Sequence, residues 1–181
     1  IIEIRIIKGG IDILKILFIH AWNKTEKAYR GIFSKLMTYP SLTLPTLVSL
    51  VPKDIKTEVD VCDEISYKVD YNKKKYDIVI ISFDTSSSKQ AYSHSEEFKK
   101  RGAYIVMGGY HTTAIPEEAS KHCNTIIIGA GEISLPNFFY DYLKGEPQKI
   151  YDNQNIDMSK IKVIPRDVIK SRRYMKIPPV I

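Results

Sequence analysis

Three short stretches of the chain gather the residue types that ligand binding requires: Ser82-Phe83-Asp84-Thr85-Ser86-Ser87-Ser88, Gly108-Gly109-Tyr110-His111-Thr112-Thr113 and Gly129-Ala130-Gly131-Glu132. Their hydroxyls, carboxylates and imidazole supply hydrogen-bonding groups, while paired glycines strip side chains from a backbone that something must approach closely. In any one of these stretches glycine and serine make an ordinary turn. Three at one edge of a sheet would line a slot. Nucleophilic and metal chemistry fit this chain less well. Cys62 and Cys123 lie far apart with no CxxC spacing and no evident base partner, and His20, His94, His111 and His122 share no ligand spacing with each other or with either cysteine.

Common phosphate-binding patterns are also missing. A dinucleotide fingerprint places GxGxxG directly after the first strand, where this chain has His20-Ala-Trp-Asn-Lys24; GAGEIS at 129 to 134 holds only a lone GxG. The GK[ST] of a P-loop is absent, and a Ser/Thr-rich flavin loop after the first strand would have only Thr25 to use.

The elements that must position these stretches are legible as apolar runs. Ile13 to Ile19, Asp77 to Phe83, Ala103 to Gly109 and Thr125 to Gly129 are near-continuous in Ile and Val, as strands covered on both faces require. Ile55 to Val61 alternates apolar with polar residues and reads as an outer strand. Helical signals lie between them. Ser88 is placed to cap a helix to about Arg101, closed by Gly102, with Ala91, Ser95 and Phe98 as its inward stripe. Pro116 opens a short helix with Glu117 and Glu118 in its first turn. Ser134 and Pro136 start another from about Leu135 to Lys144, ended by Gly145, and Ser41 to Leu50 is a further helix entered through Pro45. Alternating strands and helices with right-handed crossovers predict an α/β, doubly wound, five-stranded parallel sheet in the flavodoxin-like order 2-1-3-4-5. In such sheets ligands bind at the carboxyl ends of the strands, where all three stretches fall.

A length of 181 residues with 44% hydrophobic content builds one core without disulfide or metal staples. The formal charge of +6 comes largely from scattered lysines, with clusters at Lys73-Lys74-Lys75 and at Lys170, Arg172, Arg173 and Lys176. These clusters lack interleaved aromatic platforms, so a solvated surface is favoured over nucleic-acid binding. The apolar run from Ile11 to Ile19 is broken by Asp12 and Lys15 and falls short of the roughly 20 residues of a membrane span. A reducing, cytoplasmic location is expected, with no membrane or nucleic-acid partner. Residues 1–12 read as an N-terminal extension, 13–147 as the binding domain, and 148–181 as a linker toward a domain not contained here.

Lys15-Ile-Leu-Phe-Ile19, Pro40-Ser-Leu-Thr-Leu-Pro-Thr-Leu-Val-Ser-Leu-Val-Pro52, Asp77-Ile-Val-Ile-Ile-Ser82, Gly108-Gly-Tyr-His-Thr112, Pro116-Glu-Glu118 and Gly129-Ala-Gly-Glu132 follow one another in an order that resembles the amino-terminal cobalamin-binding domain of cobalamin-dependent radical SAM proteins. The resemblance runs from about residue 13 to 181 and is strongest from Asp77 to Pro136. Ile164-Pro-Arg-Asp167 through Tyr174 is similar to the linker that precedes the catalytic barrel in that family, whose CxxxCxxC motif this chain lacks.

The resemblance implies a Rossmann-like cobalamin-binding fold whose slot takes the dimethylbenzimidazole tail, with the corrin ring over the strand ends. Gly108 and Gly109 would let the tail pass, and Ser82 and Thr85 would offer hydroxyls to the tail or its phosphate. Asp84 and Ser86 would border it, Gly129 and Gly131 would edge it, and His111 and Glu132 would stand on its rim. Tyr110 stands where a proline is common in the family, and Ala130 where an acidic residue often occurs; bulk at Tyr110 would narrow the slot. No DxHxxG motif follows the first strand, so cobalt would have no histidine from this motif on its lower face. S-adenosylmethionine and a [4Fe-4S] cluster would belong to the absent radical SAM domain of the same parent, an iron-sulfur enzyme such as a methyltransferase, and the isolated chain would be catalytically inert. The competing readings are a stand-alone corrinoid or small-ligand binding protein and a flavin- or nucleotide-binding domain of the same architecture.

Overall fold

The computed structural model describes residues 13–23 and 41–153. The N-terminal extension, the Lys170–Lys176 basic cluster, the linker-like stretch from Ile164 and Thr25 lie outside these residues. Strands β1 (Leu14–His20), β2 (Thr57–Asp63), β3 (Ile78–Ser82), β4 (Tyr104–Gly108), β5 (Thr125–Gly129) and β6 (Ile150–Asn153) form one sheet in the order β2-β1-β3-β4-β5-β6. Every neighbouring pair is parallel. The helices are α1 (Thr43–Ser49), α2 (Ser88–Lys100), α3 (Tyr110–Ala114), α4 (Pro116–Ala119) and α5 (Gly131–Lys144), with one 3-10 turn at Thr85–Ser87 and another at Ser120–His122.

The near-continuous apolar strands are explained by two cores, one on each face. Because successive strand residues point to opposite faces, Ile16 and Phe18 of β1 enter one core while Leu17 and Ile19 enter the other. The first core packs the sheet against Leu44 and Leu50 around α1 and against Leu135, Phe138 and Phe139 of α5. The second packs it against Ala91, Tyr92 and Phe98 of α2. Each fully buried side chain of this size stabilises the fold by roughly 1.5–3 kcal/mol. β2 lies at the edge, as its alternating sequence requires; its outward Asp60 accepts from Lys73 Nζ at 3.0 Å and from Tyr76 Oη at 2.7 Å.

The inward stripe of α2 is Ala91, Ser95 and Phe98, all buried, and the helix gives way to Gly102 at φ 82°. Its start differs from expectation. Ser88 is the first helical residue rather than the cap; Ser87 holds the cap position without a side-chain bond, and Asp84 caps the preceding 3-10 turn by accepting from Ser87 N at 2.9 Å.

Two further expectations are corrected. Helix α5 begins at Gly131, not near Leu135, and Pro136 sits inside it. Ser134 is buried and accepts a hydrogen bond from Asn153 Nδ2 at 3.1 Å, so its hydroxyl ties the helix to β6 instead of capping it. The sheet has six strands rather than five, because residues 150–153, expected in the linker, pair with β5. Only Tyr151 of those four is buried, and its hydroxyl donates to Asp141 Oδ2 at 2.8 Å; one inward side chain leaves too weak a period to mark a strand.

Candidate functional site

β3, β4 and β5 end at Ser82, Gly108 and Gly129, and Ser82 is in register with Gly108. On the α1 and α5 face of the sheet these ends border a narrow slot with a cavity of about 40 Å3. Its walls are Leu47, Ile80, Val106, Ile127 and Leu135, with Ile81 behind; its edges are Ser82, Gly108, Gly109, Gly129 and Gly131. Ser82 carries the one side-chain polar atom of this lining. Its hydroxyl makes no hydrogen bond among the described residues.

The glycines do different things. At Gly108 a β-carbon would stand 3.7 Å from Ile127 Cβ, in ordinary contact, so the missing side chain leaves slot space rather than relieving a clash. At Gly109, φ is 104° and a β-carbon would lie 2.7 Å from the Phe83 carbonyl oxygen and 3.0 Å from Ser82 Oγ. The chain here crosses tightly over the end of β3, where Phe83 N donates to Gly108 O and His111 N to Phe83 O. Gly109 is therefore demanded by the protein's own backbone. Gly131 begins α5 beside α1, with Leu47 Cδ2 and Leu50 Cδ1 3.5 and 3.8 Å from where its β-carbon would be, in ordinary contact. Leu47, only partly buried, thus closes one side of the slot. Thr113 locks the rim: its hydroxyl donates to Gly109 O at 3.0 Å and accepts from Gly129 N at 2.9 Å, joining the end of β5 to the β4 crossing.

The remaining residues singled out from the sequence do not line this cavity. Asp84 makes a turn, accepting from Ser86 Oγ and Ser87 N at 2.9 Å; burial opposes its ionisation, but these hydrogen bonds hold its pKa below the usual carboxylate value. Thr85 and Ser86 are exposed on that turn, and Glu132 is half-buried in the first turn of α5. Tyr110 is 87% exposed, so its bulk projects outward and does not narrow the slot.

His111 was expected on the rim and is instead buried on the α2 side. It follows Tyr110 directly in α3, and the helical turn carries it inward. There its Nε2 meets Tyr92 Oη at 2.9 Å and its Nδ1 meets Thr85 Oγ1 at 3.2 Å, while Tyr92 donates to Glu118 Oε1 at 3.1 Å and stacks on His122 with ring centroids 3.8 Å apart. Burial, then the Glu118 carboxylate, pushes the Tyr92 phenol pKa up. Cys123 is likewise a packing residue, its thiol pushed up to about 12 by burial.

Sequence reasoning missed a second polar cluster near the end of β2. Glu64 and His94 side chains are each 1% exposed and meet at 2.8 Å; His94 Nδ1 meets Tyr71 Oη at 2.7 Å, and Trp22 N donates to Glu64 Oε2 at 3.2 Å. The partners are dispersed along the chain, so no local motif announces them. Among the described residues no group of His, Cys, Asp and Glu is arranged to hold a metal ion, and no helix is long and apolar enough to cross a membrane.

No protein-family model matches the chain. Among characterised proteins, it is 31% identical over 136 residues to bacteriochlorophyllide d C-8(2)-methyltransferase of Chlorobaculum tepidum, a match covering 75% of this chain and 29% of that protein. It is 32% identical over 81 residues to bacteriochlorophyllide d C-12(1)-methyltransferase of the same organism, covering 45% of this chain and 18% of that protein. A protein of Pyrococcus horikoshii described as an uncharacterized methyltransferase is 29% identical over 150 residues, covering 77% of this chain and 32% of that protein. The chain spans less than a third of the length of each of these relatives.

Proposed function

We propose that this chain is the cobalamin-binding module of a cobalamin-dependent radical SAM methyltransferase. The observation that carries the reading is the slot: apolar walls, glycine edges, and one free hydroxyl at the carboxyl ends of β3 to β5. Three relatives whose names all include methyltransferase support the reaction class, and the two from Chlorobaculum tepidum, named for a bacteriochlorophyllide, suggest a tetrapyrrole as the substrate class of the parent.

The residues present fit the nucleotide arm of a corrinoid. A flat aromatic base is mostly apolar and needs close approach to backbone, which Gly108 allows; its ring nitrogen needs a donor, which Ser82 offers. A pocket for a ligand of ordinary size spans roughly 300–1,000 Å3, so a cavity of about 40 Å3 must widen on binding. Leu47 is the wall able to move, because it projects from a helix of seven residues and is only partly buried. Tyr110 and Ile133, both exposed, follow the edge residues Gly109 and Gly131 in sequence and would be available to a large ring outside the slot. When bound, cobalamin supplies a cobalt centre able to carry a methyl group. The protein's part is to hold the arm, shield it from water between Leu47 and Leu135, and leave the ring facing outward toward a partner domain carrying S-adenosylmethionine and an iron-sulfur cluster. In this reading residues 13–153 form the module.

Gel filtration of the 181-residue chain with hydroxocobalamin tests the proposal. The corrinoid is expected to co-elute with the protein and to show a shifted absorption band; a corrinoid that elutes wholly apart from the protein overturns it.

A further inference from the structure

We infer that the slot discriminates among corrinoids by the base of their nucleotide arm, accepting a benzimidazole and rejecting a purine. The inference rests on the cobalamin reading above and concerns the chemistry of the lining. Leu47, Ile80, Val106, Ile127 and Leu135 offer no hydrogen-bonding side-chain atom, and Ser82 offers one hydroxyl. Several backbone groups at the edge are already committed. Gly108 O accepts from Phe83 N, Gly109 O accepts from both Thr113 N and Thr113 Oγ1, and Gly129 N donates to Thr113 Oγ1.

A benzimidazole joined to its ribose presents a single ring nitrogen as acceptor. One donor hydroxyl satisfies it, and the rest of the ring, with its methyl groups, is hydrocarbon suited to the aliphatic walls. Adenine of nearly the same outline carries additional ring acceptors and an exocyclic amine with two N–H donors. In this slot those groups would leave water without replacement partners, and each buried polar group left unpaired weakens binding about tenfold or more.

The test is a spectral titration of the full chain with three corrinoids: cobalamin, the adenine-bearing analogue, and cobinamide, which has no nucleotide. The inference predicts that cobalamin binds at least tenfold more tightly than the adenine analogue and also more tightly than cobinamide. If the adenine analogue binds within tenfold of cobalamin or more tightly, while both exceed cobinamide, base discrimination is overturned and the cobalamin module stands. If cobinamide binds as tightly as cobalamin, the arm does not use the slot and both fall. If no corrinoid binds, the underlying reading fails and the inference with it.

Discussion

The carbonyl oxygen of Phe83 lies 2.7 Å from the point where a β-carbon on Gly109 would stand. No real contact of this kind is so short, and Gly109 also has a φ of 104°, so any side chain there must move the backbone at the end of β3. Gly109→Ala is predicted to lower the unfolding free energy by about 2 kcal/mol or more, combining strained φ with a backbone clash. Urea denaturation measures it; a variant as stable as the wild type would show that the crossing is looser than described.

Leu47 closes the slot from α1, with its Cδ2 3.5 Å from the missing β-carbon of Gly131. Leu47→Ala is expected to cost about 1 kcal/mol in stability, because the side chain is only partly buried. The same change is expected to speed hydroxocobalamin association several-fold in stopped-flow absorption, since less must be displaced. An unchanged rate would place the opening motion elsewhere.

The Glu64–His94 pair is buried on both sides, so removing one partner strands the other. His94→Leu is predicted to destabilise the fold by about 1–3 kcal/mol, the cost of leaving a buried polar group short of its hydrogen-bond partner. Chemical denaturation provides the value. A loss under about 1 kcal/mol would mean that Trp22 N and Gln90, whose Nε2 donates to Glu64 Oε1 at 3.5 Å, support Glu64 without the imidazole.

Asp60 gives the edge strand a definite acid response. Burial would raise its carboxyl pKa, but hydrogen bonds from Lys74, Tyr76 and Lys73 outweigh it and lower the pKa from 3.8 to about 2. A folded-state value below the unfolded one means that the unfolded chain binds the proton first as pH falls. The contribution is fully present above pH 3.8 and is lost as pH drops toward about 2. Asp60→Asn is expected to flatten the stability curve across that window relative to wild type; parallel curves there would remove Asp60 as the cause.

The order of the first five strands was legible because burial on both faces demands uninterrupted Ile and Val, as in Ile78 to Ile81, and because β2 alternates at an edge. β6 was not, since its hold on the sheet comes from Tyr151 meeting Asp141 and from Asn153 meeting Ser134, contacts made across space. At the site, Ser82, Gly108 and Gly129 were identifiable as strand ends free of bulk, and Gly109 and Gly131 as the small residues that follow them. The walls were not: Leu47 and Leu135 look like any helix core residue until α1 and α5 are laid on the sheet. His111 misled for a related reason. A polar residue after a strand reads as a loop group, whereas α3 starts at once and turns its imidazole toward Tyr92. Gly109 shows the same lesson at the backbone, since sequence alone cannot say whether a bare glycine makes room for a ligand or for the protein's own carbonyl.

Gly108 tests the slot most directly, because a β-carbon there meets only ordinary contact with Ile127 and a larger side chain enters the space a base would occupy. The measurement is the hydroxocobalamin affinity of Gly108→Leu beside its circular dichroism and urea midpoint. The proposal predicts binding lost by at least a hundredfold with the dichroism unchanged. A folded Gly108→Leu protein that binds hydroxocobalamin as the wild type does would contradict it.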